Sequence, residues 1–358
     1  MRIKLEKRRE PSLAMLVATP IASVILTMLI GIVVFDLLGI NGFEAVVDIF
    51  LSPLLYSYKW QDVALKAAPL IIIALGLSMG NRAQVWNIGA EGQYVIGALC
   101  CAGMGIAFGQ TGGFLVVLLM IAAGIVGGGL WAAVPAWLRT KYNVNEILSS
   151  LMLTYVSFQV LGYLVGGPWK DPNGRNFPAT APLADAQTLP VWPESTVHLG
   201  VLVALILPFV FWVIMARSEF GYQVRVVGSS ATAARHGGFD SKRTIWATMI
   251  IGGAMAGLAG GLEFAGVLHK IDLGFASGYG FTAIIVAFLG RLNPFGCLIA
   301  GIVLAVTYVG GQMAQTSVHI PNSTAGIFQA MMLFFILASD ILVRYRIRLI
   351  PSAKAAGV

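Results

Sequence analysis

The sequence predicts an all-α integral membrane protein: about ten transmembrane helices, some of them broken, in two halves of inverted topology. Composition is the first ground. Of 358 residues, 58% are hydrophobic and only 11% charged, with mean hydropathy +0.83, too little charge to clothe a water-soluble globule of this size. Length is the second. Apolar runs of about 20 residues recur with almost no charge, as a helix needs to cross roughly 30 Å of hydrocarbon. A transmembrane barrel would alternate polar and apolar residues over segments of about 10, and these runs do not alternate. The third ground is a charge asymmetry between alternate connections.

The spans fall at 14–38, 63–80, 93–109, 113–138, 147–166, 199–216, 244–267, 280–289, 294–312 and 324–343, the eighth being short. The basic start, 1–10, precedes an apolar run too long for a signal peptide, so the first span is read as retained. With the N-terminus inside, the cytoplasmic segments hold all but five of the 23 Lys and Arg residues. The five left outside are Lys59, Lys66, Lys170, Arg175 and Lys270. This fits the positive-inside rule and puts both termini in the cytoplasm. It also explains the net charge of +7 without nucleic acid as a partner. The organisation expected is a cytoplasmic segment 1–13, one transmembrane domain 14–343 and a cytoplasmic tail 344–358. Cys100, Cys101 and Cys297 lie in apolar stretches and read as small buried hydrophobes.

Two connections are long. The outer one, 167–198, carries six prolines with Trp169 and Trp192, a composition for irregular structure at an interface. It covers an entrance, meets an outside partner or simply connects. The inner one, 217–243, contains a capped helix: Ser229 or Ser230 serves as N-cap, Ala231, Ala233, Ala234 and Arg235 form the turn, and Gly237 with Gly238 ends it. It docks a soluble partner or is a helical connector.

Polar residues at membrane depth are costly and favour the bundle interior or a water-filled path. The densest group is NRAQVWNIGAEGQ, which joins the second and third spans and carries Asn87, Glu91 and Gln93. A second break, LGFASGYG, precedes the short eighth span. Spans two to five mirror spans seven to ten in order but run the opposite way, as in an inverted repeat whose broken segments mark a transport path. Further candidates are Asn145, Glu146, Glu263 and Gln312, with Phe264, Phe281, Trp86 and Tyr94 as stacking surfaces. Glu263 stands out because its neighbours are small and apolar. No G-x-x-x-x-G-K-[ST], H-E-x-x-H or G-x-S-x-G occurs, so the chain is read as no enzyme and as holding no cofactor or metal.

With NIGAEGQ at 87–93, KYNVNEILSSLMLTYV at 141–156, FGYQVRVVGSSATAARHGG at 220–238, AGLAGGLEFAGV at 256–267 and GYGFTAIIVAFLGRLNPFG at 278–296, the chain resembles ABC transporter permeases of the ribose, branched-chain amino acid and nucleoside group. The Asn-Ile-Gly-x-Glu-Gly-Gln and Val-Asn-Glu-Ile forms are most like nucleoside permeases, and Thr154 stands where many relatives have asparagine. The resemblance implies a permease in the inner membrane of a bacterium, paired with a second homologous permease in a heterodimer rather than a homodimer. It further implies an ATPase subunit that uses ATP and Mg, and an extracytoplasmic substrate-binding lipoprotein. Ser229 to Gly237 then becomes the coupling helix that enters the ATPase. Transport would follow alternating access, with Asn87, Glu91, Gln93, Asn145, Glu146, Glu263, Phe264, Phe281 and Gln312 as candidates along the path. A ribose-like sugar is the alternative cargo, and an ion-coupled secondary transporter the alternative machine.

Overall fold

The structure, a computed structural model, describes residues 2–7, 13–109, 111–174, 176–317 and 324–350. Arg8, Arg9, Arg175 and Lys354 of the charge count lie outside these residues. The order is β1 (Arg2–Lys7), α1 (Leu13–Leu37), α2 (Gly42–Phe50), α3 (Ser52–Leu55), α4 (Trp60–Arg82), α5 (Ala90–Phe108), α6 (Phe114–Tyr142) and α7 (Glu146–Gly166). There follow α8 (Leu199–Arg217), α9 (Glu219–Ser229), α10 (Ala231–His236), α11 (Ser241–Glu263), α12 (Tyr279–Leu289), α13 (Pro294–Ser317), α14 (Thr324–Arg344) and β2 (Tyr345–Ile350). Among the described residues, eight helices are long and apolar enough to cross a membrane. The 11-residue α12 and the helix α14 complete the ten expected from sequence.

The chain divides into two compact units. In the unit formed by the two ends of the chain, α1 packs on α14. The Phe328 ring sits 5.5 Å from Phe35 and 5.7 Å from Phe50. Asn41 caps α2 by accepting from the Glu44 N–H, and Ser52 and Ser317 both donate to Asp48. β1 and β2 pair antiparallel, Arg2 opposite Ile350 and Lys7 opposite Tyr345, an element that the apolar-run reading of the sequence does not foresee.

The other unit, residues 53–309, is built around α11. That helix is rich in glycine because its neighbours come to backbone contact. A β-carbon at Gly97 of α5 would lie 2.3 Å from the Cα of Gly257, and one at Gly128 of α6 would lie 2.3 Å from the Gly253 carbonyl. With no hydrophobic effect to drive helices together inside lipid, such close approach gains dispersion contacts instead. α6 meets α11 antiparallel, closed at one end by the Trp246 indole donating to Thr140 at 2.9 Å. α4 meets it antiparallel as well, through Gly76 and Gly252. The central stretch of α4, residues 67–81, is buried throughout.

Candidate functional site

Both breaks read from the sequence are present, and they meet. α4 ends at Arg82, and a turn with Gln84 in the left-handed region leads to Gly89, where α5 begins. α11 passes into a π-helix at Phe264–Leu268, and the chain returns to Gly278, where α12 begins. A π-helical segment inside an α-helix is costly and often marks a functional position. The start of α12 has no side-chain cap of its own. Glu91 supplies one: its carboxylate accepts from the Gly278 N–H at 2.8 Å and the Gly280 N–H at 2.6 Å. The wholly buried carboxylate of one break thus seats on the positive end of the helix that starts at the other.

Asn87 and Gln93 close on each other. Asn87 Nδ2 donates to Gln93 Oε1 at 2.8 Å and Gln93 Nε2 donates to Asn87 Oδ1 at 3.0 Å, with the Gly89 N–H also bonded to Asn87. This reciprocal amide pair secures the bend before α5. Asn145 caps α7 through the Ile147 N–H, and Glu146 pairs with Arg139 and accepts from the Trp86 N–H. Thr154, buried in α7, bonds back to the Ser150 carbonyl and packs against Gly92. Phe281 is half-exposed on α12. Gln312 is exposed and belongs to the unit formed by the chain ends.

Glu263 has a different setting. It ends α11, is 3% exposed, and lies 3.6 Å from Lys66 Nζ. Lys66, counted from sequence among the outer charges, sits inside α4 with its ammonium 5.3 Å from the centre of the Tyr279 ring. Tyr279 meets Tyr94 edge-on at 5.9 Å and Tyr308 at 5.6 Å, while Tyr94 stacks on Phe275 at 5.1 Å. Tyr308 and Thr282 share a hydroxyl hydrogen bond of 3.0 Å. An ion pair therefore lies among aromatic rings between the two breaks. The sequence signal for Lys66 was a lysine directly before the apolar stretch Ala67–Leu70, inside the expected span 63–80, which the charge count assigned to the outer side.

The 167–198 connection lies along the segment that follows α11. Thr180 N–H donates to the Ile271 carbonyl at 2.9 Å, Leu183 N–H to that of His269 at 2.8 Å, and Leu189 N–H to that of Ala265 at 2.9 Å. Gln187 is buried and its amide donates to the carbonyls of Gly105, Gly109 and Thr111. Between this connection, α5 and Phe264 remains a cavity of about 190 Å³. His198 caps α8, its Nδ1 accepting from the Gly200 N–H at 3.0 Å, and its ring fills the space left by Gly266. Burial and the neighbouring His269 push its pKa down to about 4.

At the opposite ends of the helices, Arg82 Nε donates to the Leu292 carbonyl at 2.9 Å. α9 is capped by Ser218, and α10 by Ser230, whose hydroxyl accepts from the Ala233 N–H at 3.2 Å. Of the two serines open from sequence, Ser229 instead closes α9. Gly237 follows α10, Ala234 is buried, and Ala233 and Arg235 are exposed.

The profile of the family described as branched-chain amino acid transport system permease component matches residues 60–337. The chain belongs to this permease family. It is 35% identical to the glucose ABC transporter permease protein of Haloferax volcanii, over 96% of this chain and 93% of that one. To the guanosine ABC transporter permease protein of Bacillus subtilis it is 27% identical, over 79% and 82%. To a nucleoside ABC transporter permease protein of Lactococcus lactis it is 24% identical, over 95% and 94%. Each of these organisms has a second, distinct permease that also matches. No solved structure matches the chain. The protein is thus a multi-pass membrane permease subunit of an ABC transporter and not an enzyme, and family membership implies an ATPase and a substrate-binding partner.

Proposed function

We propose that this permease imports a nucleoside-like solute across a bacterial plasma membrane by alternating access, with its two termini in the cytoplasm and its motor in a separate ATPase that uses ATP and Mg. The observation that carries the solute reading is the ion pair of Lys66 and Glu263 among Tyr94, Phe275 and Tyr279. Aromatic faces suit a planar base, and two charges that neutralise each other suit an uncharged cargo. The guanosine and nucleoside relatives support the same reading. A simple sugar is the second reading, favoured by the 35% identity to a glucose permease.

In this reading Glu263, Phe264 and Phe281 border the path. Asn87, Glu91, Gln93, Asn145 and Glu146 hold the broken segments that shape it, and Gln312 remains a further candidate. Ser230, Ala231, Ala233, Ala234, Arg235 and Gly237 form the element that the ATPase pushes. Paired permeases in three organisms support a heterodimer with a second permease, and the antiparallel pairing of β1 with β2 supports termini on one side.

The test is uptake of labelled guanosine, uridine, ribose and glucose by cells carrying the complete transporter. ATP-dependent, vanadate-sensitive uptake of nucleosides supports the first reading, and uptake of sugars alone supports the second. Uptake driven by a proton gradient in the absence of any ATPase overturns both.

A further inference from the structure

We infer that Lys66 and Glu263 form, over the Tyr279 ring, the subsite that takes a vicinal diol of the solute; the inference rests on the importer reading above. The carboxylate of Glu263 is almost fully buried, and among the described residues Lys66 is its one partner, at 3.6 Å. An ionised carboxylate offers about four acceptor positions, and buried polar groups are normally satisfied. The pair is also longer than the roughly 2.7–2.9 Å of a tight charge-assisted hydrogen bond. Glu263 therefore holds unspent acceptor capacity. Lys66 has three donors, and its side chain is 26% exposed just before the wholly buried stretch 67–81 of α4, so a solute can reach it.

Two adjacent hydroxyls match this arrangement. Each donates to one oxygen of Glu263, while the lone pairs of the same hydroxyls or of a ring oxygen accept from Lys66. The C–H face of a furanose or pyranose packs on Tyr279, and Tyr94 stacked on Phe275 continues the aromatic floor. Nucleosides and simple sugars share this diol, so one subsite serves the cargo classes of relatives whose names differ. A zwitterionic amino acid would have to part the ion pair to satisfy both of its charges.

The experiment compares, in cells carrying the full transporter, kcat/KM for uptake of a diol and of its deoxy analogue: uridine against 2′-deoxyuridine, and glucose against 3-deoxyglucose. The unmodified protein is expected to favour the diol by about 10-fold or more, because a site built to bond a hydroxyl rejects the analogue that lacks it. Glu263→Gln and Lys66→Met are each expected to bring the ratio down to about 2-fold or less. The ratio is internal to each variant, so reduced abundance in the membrane cancels. If Glu263→Gln abolishes uptake, Glu263→Asp, which keeps the charge and retracts it by one methylene, must shift the ratio by about 3-fold or more. A ratio unchanged in the variants, or no preference in the unmodified protein, overturns the subsite and assigns discrimination to the binding partner. Uptake of leucine in place of either cargo sinks the nucleoside and sugar readings of the cargo themselves.

Discussion

Replacing Glu91 by Gln changes two atoms' chemistry and almost no volume, yet it should loosen the junction of the two breaks. In the folded protein both carboxylate oxygens are occupied, by the N–H groups of Gly278 at 2.8 Å and Gly280 at 2.6 Å. Hydrogen bonds to a charged group contribute about 1.5–3 kcal/mol each, and a buried donor left without a partner costs about 1–3 kcal/mol. The amide of Gln keeps one acceptor oxygen and turns its NH₂ toward the other N–H. It also removes the negative charge from the start of α12, worth up to about 2 kcal/mol in a buried setting. With the retained bond allowed for, the net loss is about 2–4 kcal/mol. At roughly 2 °C per kcal/mol for a chain of this length, the unfolding midpoint should fall by about 4–8 °C. Tryptophan fluorescence during heating of the purified transporter measures it, with Glu91→Ala, which abandons both N–H groups, expected to fall further. A Glu91→Gln midpoint within about 1 °C of the unmodified protein would show that the cap contributes nothing and refute the reasoning.

Other expectations follow the same logic. Gly97→Val places a β-carbon 2.3 Å from the Cα of Gly257, a backbone contact that cannot yield, and should destabilise by about 1–3 kcal/mol; Gly166→Ala, facing open space, should leave the melting curve unchanged. The folded pKa of His198, about 4, lies below the unfolded value of about 6.5, so the stability it contributes is complete above pH 6.5 and is lost as pH falls toward 4. At pH 5 the loss is roughly 2 kcal/mol. His198→Asn, which can still cap α8, should flatten that part of the profile in a melting series from pH 7.5 to 5. Ser230→Ala removes the cap of α10 and about 1 kcal/mol of local stability; uptake should slow while the solute KM stays unchanged, and an unaltered rate in transport assays would separate α10 from coupling.

Much of this architecture is legible in one dimension because lipid enforces it. A backbone in hydrocarbon must satisfy its own hydrogen bonds, so an apolar run of sufficient length becomes a helix with little choice. The expected 199–216 and 294–312 correspond to Leu199–Arg217 and Pro294–Ser317, and the short eighth span to Tyr279–Leu289. Local cap chemistry was legible in part: one of the two candidate serines, Ser230, accepts from the N–H three residues on, whereas Asn145, read as a path residue, caps α7. Less legible was α9, whose mixed composition resembled a loop until Ser218 capped it and its apolar side was buried. The pairing of β1 with β2 joins residues more than 330 positions apart and leaves no periodic trace in either segment.

By itself the sequence determined a bundle of about ten helices, two breaks, a capped helix in the long basic loop, and the lack of a P-loop. These follow from hydropathy, cap residues and absent motifs, all of which act over short distances along the chain. Only the tertiary structure decided what the polar residues at the breaks do. Asn87 and Gln93 satisfy one another, Glu91 anchors a helix 187 positions away, and Lys66 leaves the outer charge count to face Glu263. The reason is physical: the cost of a buried charge depends on which partner folding brings to it, and that partner lies on another helix.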